Sequence, residues 1–167
     1  LGRFKFFQNT RLHKAKNLLA GESEGIQYII CDLYFTVPDQ HKKNKVSGRH
    51  RTLMILESPE GNLPPFAMRP SSKFTREMEG YRGMEDIDFQ IHTVFSNQYR
   101  LMSEDEPAVR NLFEAQILDY FSQNPGLTLE ANGRFIFLLH HPQLLEATST
   151  QYEDLLKKGK EVAKVLF

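Results

Sequence analysis

The segment LTLEANGRFIFLL, residues 127–139, constrains the fold of this chain more than any other stretch. Asn132-Gly133 suits a two-residue β-hairpin turn of type I′, because both residue types accept a positive φ. The strand that follows, Phe135–Leu139, is apolar at every position and therefore has no face suited to water. We predict a hairpin whose second strand lies centrally in a sheet covered on both sides.

Other segments rich in β-branched and aromatic residues predict further strands. Ile26–Val37 ends at Pro38, and the apolar run Thr52–Glu57 follows a long polar loop. We expect 26–37 and 50–57 to pair antiparallel as a long hairpin. The shorter strand candidates are 66–69, 89–92 and 98–102, whereas 13–19 fits no single period.

Two segments show the helical period, with apolar residues recurring every three or four positions over 107–123 and 150–167. Either Ser103 caps the first helix in a capping box with Glu106, or Asp105 or Glu106 caps it with Pro107 in the first turn. Gly159 interrupts the apolar stripe of the second helix, which indicates close approach to a neighbouring element. A shorter helical segment is predicted over 71–83.

These elements predict an α+β fold: a twisted, mainly antiparallel sheet with two long helices, about 107–123 and 150–167, packed on one face. We expect a single domain over 1–167, β-rich over 1–70 and then β-α-β-β-α over 86–167. No apolar run reaches the 18 or so residues that a membrane-spanning helix needs. Because residue 1 is Leu and not Met, we expect a fragment of a longer chain.

The 21 basic and 21 acidic residues cancel, so the whole chain has no net attraction to nucleic acid or an anionic membrane. The loop HKKNKVSGRHR, residues 41–51, nevertheless concentrates cations. It lacks the interleaved aromatic residues that stack on bases, so we expect no nucleic-acid partner. Phosphates or anionic lipid headgroups fit its charge. The candidate binding residues are Lys42, Lys43, Lys45, Arg49 and Arg51.

Asp86 and Asp88 form the most suggestive acidic pair, because residues two apart on a strand face the same side. His92 would share that side if the strand continued. These groups could work as an acid–base pair in a hydrolase or hold a hard cation. Alternatively, the acids could pair with a basic loop, or they could only solvate the strand while Ile87 and Phe89 point inward. The segment lacks the calcium-loop and HExxH spacings, so we predict no metal and no cofactor.

The single cysteine, Cys31, forms no intramolecular disulfide and is too few for a thiolate zinc site. We interpret it as a small buried apolar residue. The sequence contains no nucleophile elbow, phosphate-binding loop or dinucleotide fingerprint. These features favour a chain that is not an enzyme.

Five segments carry a resemblance: LPPFAMRP (63–70), DIDF (86–89), FSNQYRL (95–101), EPAVRNLF (106–113) and GLTLE (126–130). They are similar to the motifs of an uncharacterised bacterial family whose members have N-terminal transmembrane helices followed by a domain of this size. The resemblance implies a membrane-anchored full-length protein. It implies no activity and assigns no catalytic residue.

We therefore expect a non-enzymatic, membrane-tethered domain that binds a membrane surface or another protein. The domain itself is expected to be soluble and cytoplasmic. Two alternatives stay open: a hydrolase using Asp86, Asp88 and His92, and polyanion or nucleic-acid binding through the loop 41–51. The sequence leaves the ligand and the oligomeric state undetermined.

Overall fold

The computed structural model describes residues 2, 4–8, 10–38, 46–71, 81, 83–139 and 149–167. Within these residues a short 3₁₀ helix, Lys5–Phe7, precedes eight strands and four α-helices. The strands are β1 (Arg11–Ser23), β2 (Ile26–Pro38), β3 (Val46–Glu57), β4 (Leu63–Pro70), β5 (Glu85–Ile87), β6 (Tyr99–Ser103), β7 (Thr128–Gly133) and β8 (Phe135–Leu139). The helices are α1 (Thr93–Gln98), α2 (Glu106–Leu112), α3 (Ala115–Gln123) and α4 (Ser149–Leu166).

The eight strands form one antiparallel sheet in the order β1-β2-β3-β8-β7-β4-β6-β5. The predicted long hairpin is confirmed, because β2 and β3 pair without a break from Gln27↔Glu57 to Pro38↔Val46. The prediction for β8 is also confirmed: it lies between β3 and β7, and its residues are buried alternately in two separate clusters.

The hairpin between β7 and β8 forms where the sequence predicts it, but its turn is shifted by one residue. Asn132 pairs with Phe135, so the two connecting residues are Gly133 and Arg134. Gly133 has a φ of 59°, and Asn132 is not among the residues with positive φ. A glycine with positive φ at the first connecting position is the arrangement of a type II′ turn, which uses one such residue and not two.

The two faces of the sheet have different coverings. The helix face carries α1–α4 over residues such as Met54, Leu129 and Leu138. The opposite face, here called the aromatic face, buries Phe35 and Phe137 under the N-terminal segment 4–7. Alternation along the strands separates the two clusters, because successive side chains point to opposite sides.

The expectation of two long helices on one face is wrong, since the fold is dominated by the sheet and only α4 is long. The predicted helix 107–123 is two short helices, α2 and α3, separated at Phe113-Glu114. Phe113 has φ −80° and ψ 63°, and the Glu114 amide donates to the Leu112 carbonyl at 2.9 Å. This is an inverse γ-turn.

The γ-turn lets the two short helices pack against different partners. Helix α2 contacts β4 and β6, whereas α3 contacts α1 and α4. Phe113 at the turn lies between them, with its ring near Phe66 and Phe121. The apolar period runs through the turn because both helices face the same core, so the period alone predicts one helix where two exist.

The strand predicted over 89–92 is also wrong. The His92 amide donates to the Phe89 carbonyl at 3.0 Å, which closes a turn that leads into α1. Phe89 is buried, but Ile91 is 91% exposed. Ile91 gives the segment 89–92 the apolar composition of a strand, although its side chain lies in solvent. The strand of this region, β5, ends at Ile87.

The start of α2 follows one of the two predicted capping arrangements. Asp105 is the N-cap, and its Oδ1 accepts a hydrogen bond from the Ala108 amide at 3.1 Å. Pro107 lies in the first turn. Ser103 instead donates to the Pro65 carbonyl at 2.7 Å and accepts from the Asp105 amide at 2.9 Å. The helix predicted over 71–83 falls largely outside the described residues.

Gly159 confirms the predicted close approach, because a Cβ at this position would overlap Sδ of the buried Met54 on β3. Gly159→Ala gains about 1 kcal/mol of helix propensity but overpacks the core by roughly 1–3 kcal/mol. We expect a net loss of about 1 kcal/mol in the free energy of unfolding, measured by urea denaturation. In a Met54→Ala background the same change should stabilise, and stabilisation in the wild-type chain would contradict this packing.

Candidate functional site

The structure does not bring the acidic candidates Asp86, Asp88 and His92 together. Asp86 lies on β5 and its carboxylate forms an ion pair with Arg100 of β6. Asp88 lies beyond the end of the strand, and its carbonyl accepts a hydrogen bond from Arg110 at 3.0 Å. His92 precedes α1, with Nδ1 3.8 Å from Asp119 Oδ1 of α3. Each group therefore has a different neighbour, and Asp86, Asp88 and His92 form no acid–base pair with one another.

The other reactive groups give no catalytic constellation among the described residues. That part of the chain contains no cluster of three or more His, Cys, Asp or Glu side chains able to hold a metal ion. Cys31 is buried on the aromatic face, and burial together with the adjacent Asp32 raises the pKa of its thiol. A thiol held protonated in this way is a poor nucleophile.

Cationic side chains lie on both faces of one end of the sheet, which we call the basic end. It consists of residues 11–16 of β1, 32–38 of β2 and 46–52 of β3. These three spans contain five Lys or Arg residues and a single carboxylate, Asp32. Arg11, Lys14 and Lys16 lie on the helix face, and Arg49 and Arg51 lie on the aromatic face. Of the predicted binding residues, Arg49 and Arg51 lie here, whereas Lys42, Lys43 and Lys45 lie outside the described residues.

Strand register explains why sequence reasoning missed the β1 cations. Arg11 of β1 pairs with Thr36 of β2, and Thr36 pairs with Gly48 of β3. Only one strand therefore separates the start of β1 from the start of β3, although the two segments are far apart in the sequence. The segment 13–19 showed no clear period because β1 is an edge strand, exposed along nearly its whole length and interrupted by two register shifts. No local pattern links residues this far apart.

A ladder of three rings crosses the basic end on its helix face. The Tyr34 ring lies between His13 and His50, with centroid distances of 5.1 and 4.6 Å. His13 Nε2 lies 2.9 Å from Thr36 Oγ1. A Cβ on Gly48 would lie 3.2 Å from the Tyr34 ring, so the glycine leaves room for the ring. The ladder ties β1, β2 and β3 together at this end of the sheet.

Asp32, the single carboxylate of the basic end, is held by neighbouring side chains. It accepts hydrogen bonds from Thr52 at 2.5 Å, Asn17 at 2.7 Å and Tyr152 at 3.3 Å. Tyr152 belongs to α4, so Asp32 also connects that helix to the sheet. Its hydrogen-bonding capacity is thus directed toward the protein, whereas Lys14 and Lys16 are exposed.

Exposed apolar side chains accompany the cations. Leu12 is 45% exposed and Val46 is 66% exposed, and both lie within the basic end. Leu18 follows immediately along β1 and is 65% exposed. A surface that combines cations with large exposed apolar side chains suits the boundary between lipid headgroups and acyl chains.

A buried polar network lies on the aromatic face and was not predicted. Glu130 of β7 is 3% exposed and accepts hydrogen bonds from the Lys5 amide, from the Phe6 amide at 3.0 Å and from the Tyr81 hydroxyl at 3.1 Å. Arg69 of β4 donates to the same Tyr81 hydroxyl. Burial raises the pKa of Glu130, and the hydrogen bonds and Arg69 partly oppose that rise.

This network holds the N-terminal segment against the sheet. Its three side chains are closed to solvent, and two of the Glu130 bonds go to backbone amides of residues 5 and 6. The Arg69 guanidinium also lies 5.5 Å from the Phe6 ring centroid and 4.4 Å from that of Tyr81. The geometry therefore indicates a structural role, because a substrate could not reach the carboxylate.

The segments that carry the family resemblance supply much of this framework. Phe66 and Arg69 lie on β4, Phe95 and Tyr99 lie in α1 and β6, and Glu130 lies on β7. The Tyr99 hydroxyl donates to the Asn124 carbonyl at 2.6 Å and accepts from the Leu127 amide at 3.1 Å. These residues are explained by packing and hydrogen bonding, and none of them lies in the basic end.

Comparison of the chain with protein-family models, with curated proteins and with solved structures finds no match. Among the residues that the structure describes, no helix has both the length and the apolar character needed to cross a bilayer.

Proposed function

We propose that this chain is a non-enzymatic domain that binds anionic membrane surfaces through the basic end of its sheet. The observation that carries the proposal is that two separate segments of the chain place five cations and one internally bonded carboxylate at the same end of the sheet, three cations on one face and two on the other. Because the whole chain has zero net charge, its composition does not reveal this local excess of cations.

The energetics favour a weak, salt-dependent contact. A Lys or Arg near an anionic leaflet contributes about 1 kcal/mol, and the contribution falls off within a Debye length. Leu12 and Val46 add apolar area that can enter the headgroup region. The resemblance implies an anchor in the full-length protein, and tethering raises the local concentration so that a weak contact suffices. We place the domain on the cytoplasmic side, where anionic lipids concentrate.

The hydrolase alternative has no supporting observation in the described geometry, because Asp86, Asp88 and His92 have separate partners. The nucleic-acid alternative uses the same cations as the membrane proposal. It needs rings free to stack on bases. The Tyr34 ring is instead sandwiched between His13 and His50, which favours the membrane surface.

Sedimentation with vesicles tests the proposal. The wild-type chain should co-sediment with phosphatidylcholine vesicles that contain phosphatidylserine, and the bound fraction should fall as salt rises. Lys14→Glu with Lys16→Glu should weaken binding by at least about tenfold, because two attractive charges become repulsive. Both residues are exposed, so the folded state should persist.

The matched control changes two lysines of α4, Lys157→Glu with Lys158→Glu, which alters the net charge equally. This variant should bind within about twofold of the wild type. If both double variants lost vesicle binding equally, the net charge of the protein and not the basic end would determine binding. Binding of a single-stranded oligonucleotide at physiological salt, without binding to vesicles, would favour the nucleic-acid alternative and end the membrane proposal.

A further inference from the structure

A groove lies on the aromatic face at the opposite end of β1–β3, beside Phe4 of the N-terminal segment. Its volume is about 580 Å³, within the range typical of ligand sites. One row of its floor is apolar, formed by Ala20, Ile29 and Ile55 on three successive strands. Phe4 and Phe135 also line the groove.

The next row of the floor carries carboxylates. Glu22 pairs with Gln27, and Gln27 pairs with Glu57, so two acidic side chains lie in one row across three strands. Arg134 shows which chemistry this row accepts, because its guanidinium lies 3.0 Å from Glu57 and 5.7 Å from the Phe135 ring centroid. The groove therefore suits a ligand that combines apolar groups with a cation.

The groove opens onto an edge strand. Among the described strands β1 pairs with β2 alone. Its second half pairs regularly from Leu19↔Ile30 to Ser23↔Ile26, whereas its first half contains the register shifts. Bulges discourage further pairing on an edge, so the regular half is the part suited to accept another strand. Leu18 and Leu19 are exposed beside it, at 65% and 44%.

We propose that residues 19–23 and the adjoining groove bind an extended segment of a partner protein that carries Arg or Lys among apolar residues. The segment adds as a strand to the regular half of β1, where backbone hydrogen bonds supply affinity. Its side chains on the groove side alternate with those on the other side. An apolar side chain then faces Ala20 and Ile29, and a cation two residues along faces Glu22.

A designed peptide probes this site: acetyl-Thr-Val-Thr-Arg-Thr-Val-Thr-amide places Val, Arg and Val on one side. We expect saturable binding in the millimolar range or tighter, with amide shifts in nuclear magnetic resonance spectra at residues 19–23. A peptide with Glu in place of Arg should bind at least about tenfold more weakly. A peptide with N-methylated backbone amides should not bind, because it lacks the strand donors.

Two variants of the protein have matched controls. Glu22→Lys should weaken binding of the Arg peptide at least about tenfold. The same charge change at exposed Glu153 of α4 should not weaken that binding. Ile29→Arg should block the groove, whereas Ile91→Arg, at a fully solvated isoleucine, should not.

Equal affinity for the Arg and Glu peptides would overturn the proposal, as would equal binding by the Glu22→Lys and Glu153→Lys variants. Dimerisation through residues 19–23 that the peptide cannot displace would assign the edge to a second copy and also overturn it. The groove lies at the end of the sheet away from the basic end, so this test and the vesicle test fail independently.

Discussion

Glu130→Ala should lower the free energy of unfolding by about 3–5 kcal/mol, the range typical of removing one partner from a buried charged network. The substitution leaves the Lys5 and Phe6 amides without their acceptor and removes the carboxylate near Arg69. Urea denaturation followed by circular dichroism measures the loss. Glu104→Ala is the matched control, because Glu104 pairs with Lys5 at the surface and should cost less than about 1 kcal/mol.

The same variant has a predictable pH dependence. Burial raises the pKa of Glu130 above its ordinary value of 4.5, so the folded chain holds that proton more tightly than the unfolded chain. The proton-linked part of this contribution is therefore complete below about pH 4.5 and is lost as pH rises through the folded pKa, whereas the hydrogen bonds from the Lys5 and Phe6 amides remain. The stability gap between wild type and Glu130→Ala should narrow with rising pH. A gap that widens would contradict the assignment.

Phe113→Ala should cost about 3–5 kcal/mol of unfolding free energy, the usual range for deleting a buried aromatic ring. Phe113 is 1% exposed and lies at the γ-turn, where its ring meets those of Phe66, Phe95 and Phe121. The same denaturation experiment measures the effect. Val94→Ala, at a residue 58% exposed on α1, should change stability by less than about 0.5 kcal/mol.

A loss below about 1 kcal/mol in Phe113→Ala would contradict the packing described for this turn. It would mean that α2 and α3 are held by their separate contacts with the sheet and with α1 and α4. The turn would then be a connection and not a centre of the core.

The central part of the fold was predictable because its signals are local. Phe135–Leu139 is apolar throughout, and burial on both faces follows from that directly. The hairpin of β2 and β3 was also predictable, because a polar segment with Pro, Asn and Gly separates its two apolar strands in the sequence. In contrast, no Gly or Pro marks the break at Phe113-Glu114, so the apolar period predicted one helix across it.

The basic end was predictable only in part. The loop 41–51 concentrates cations within one segment, and the sequence therefore predicts Arg49 and Arg51 as binding residues. Lys14 and Lys16 join them through strand register, which the sequence does not display. The prediction that Asp86 and Asp88 face the same side assumed a continuous strand. Because β5 ends at Ile87, Asp88 lies outside the strand and the two-residue spacing does not place the acids together.

The central claim is that the basic end itself contacts the membrane, and a single fluorescence measurement tests it. Cys31 is buried, so a cysteine introduced at exposed Leu12 or Ile91 reacts first with an environment-sensitive dye. On adding phosphatidylserine vesicles, we expect a blue shift from the dye at position 12 and none from the dye at position 91. A shift at position 91 alone, or at neither position, would contradict the account.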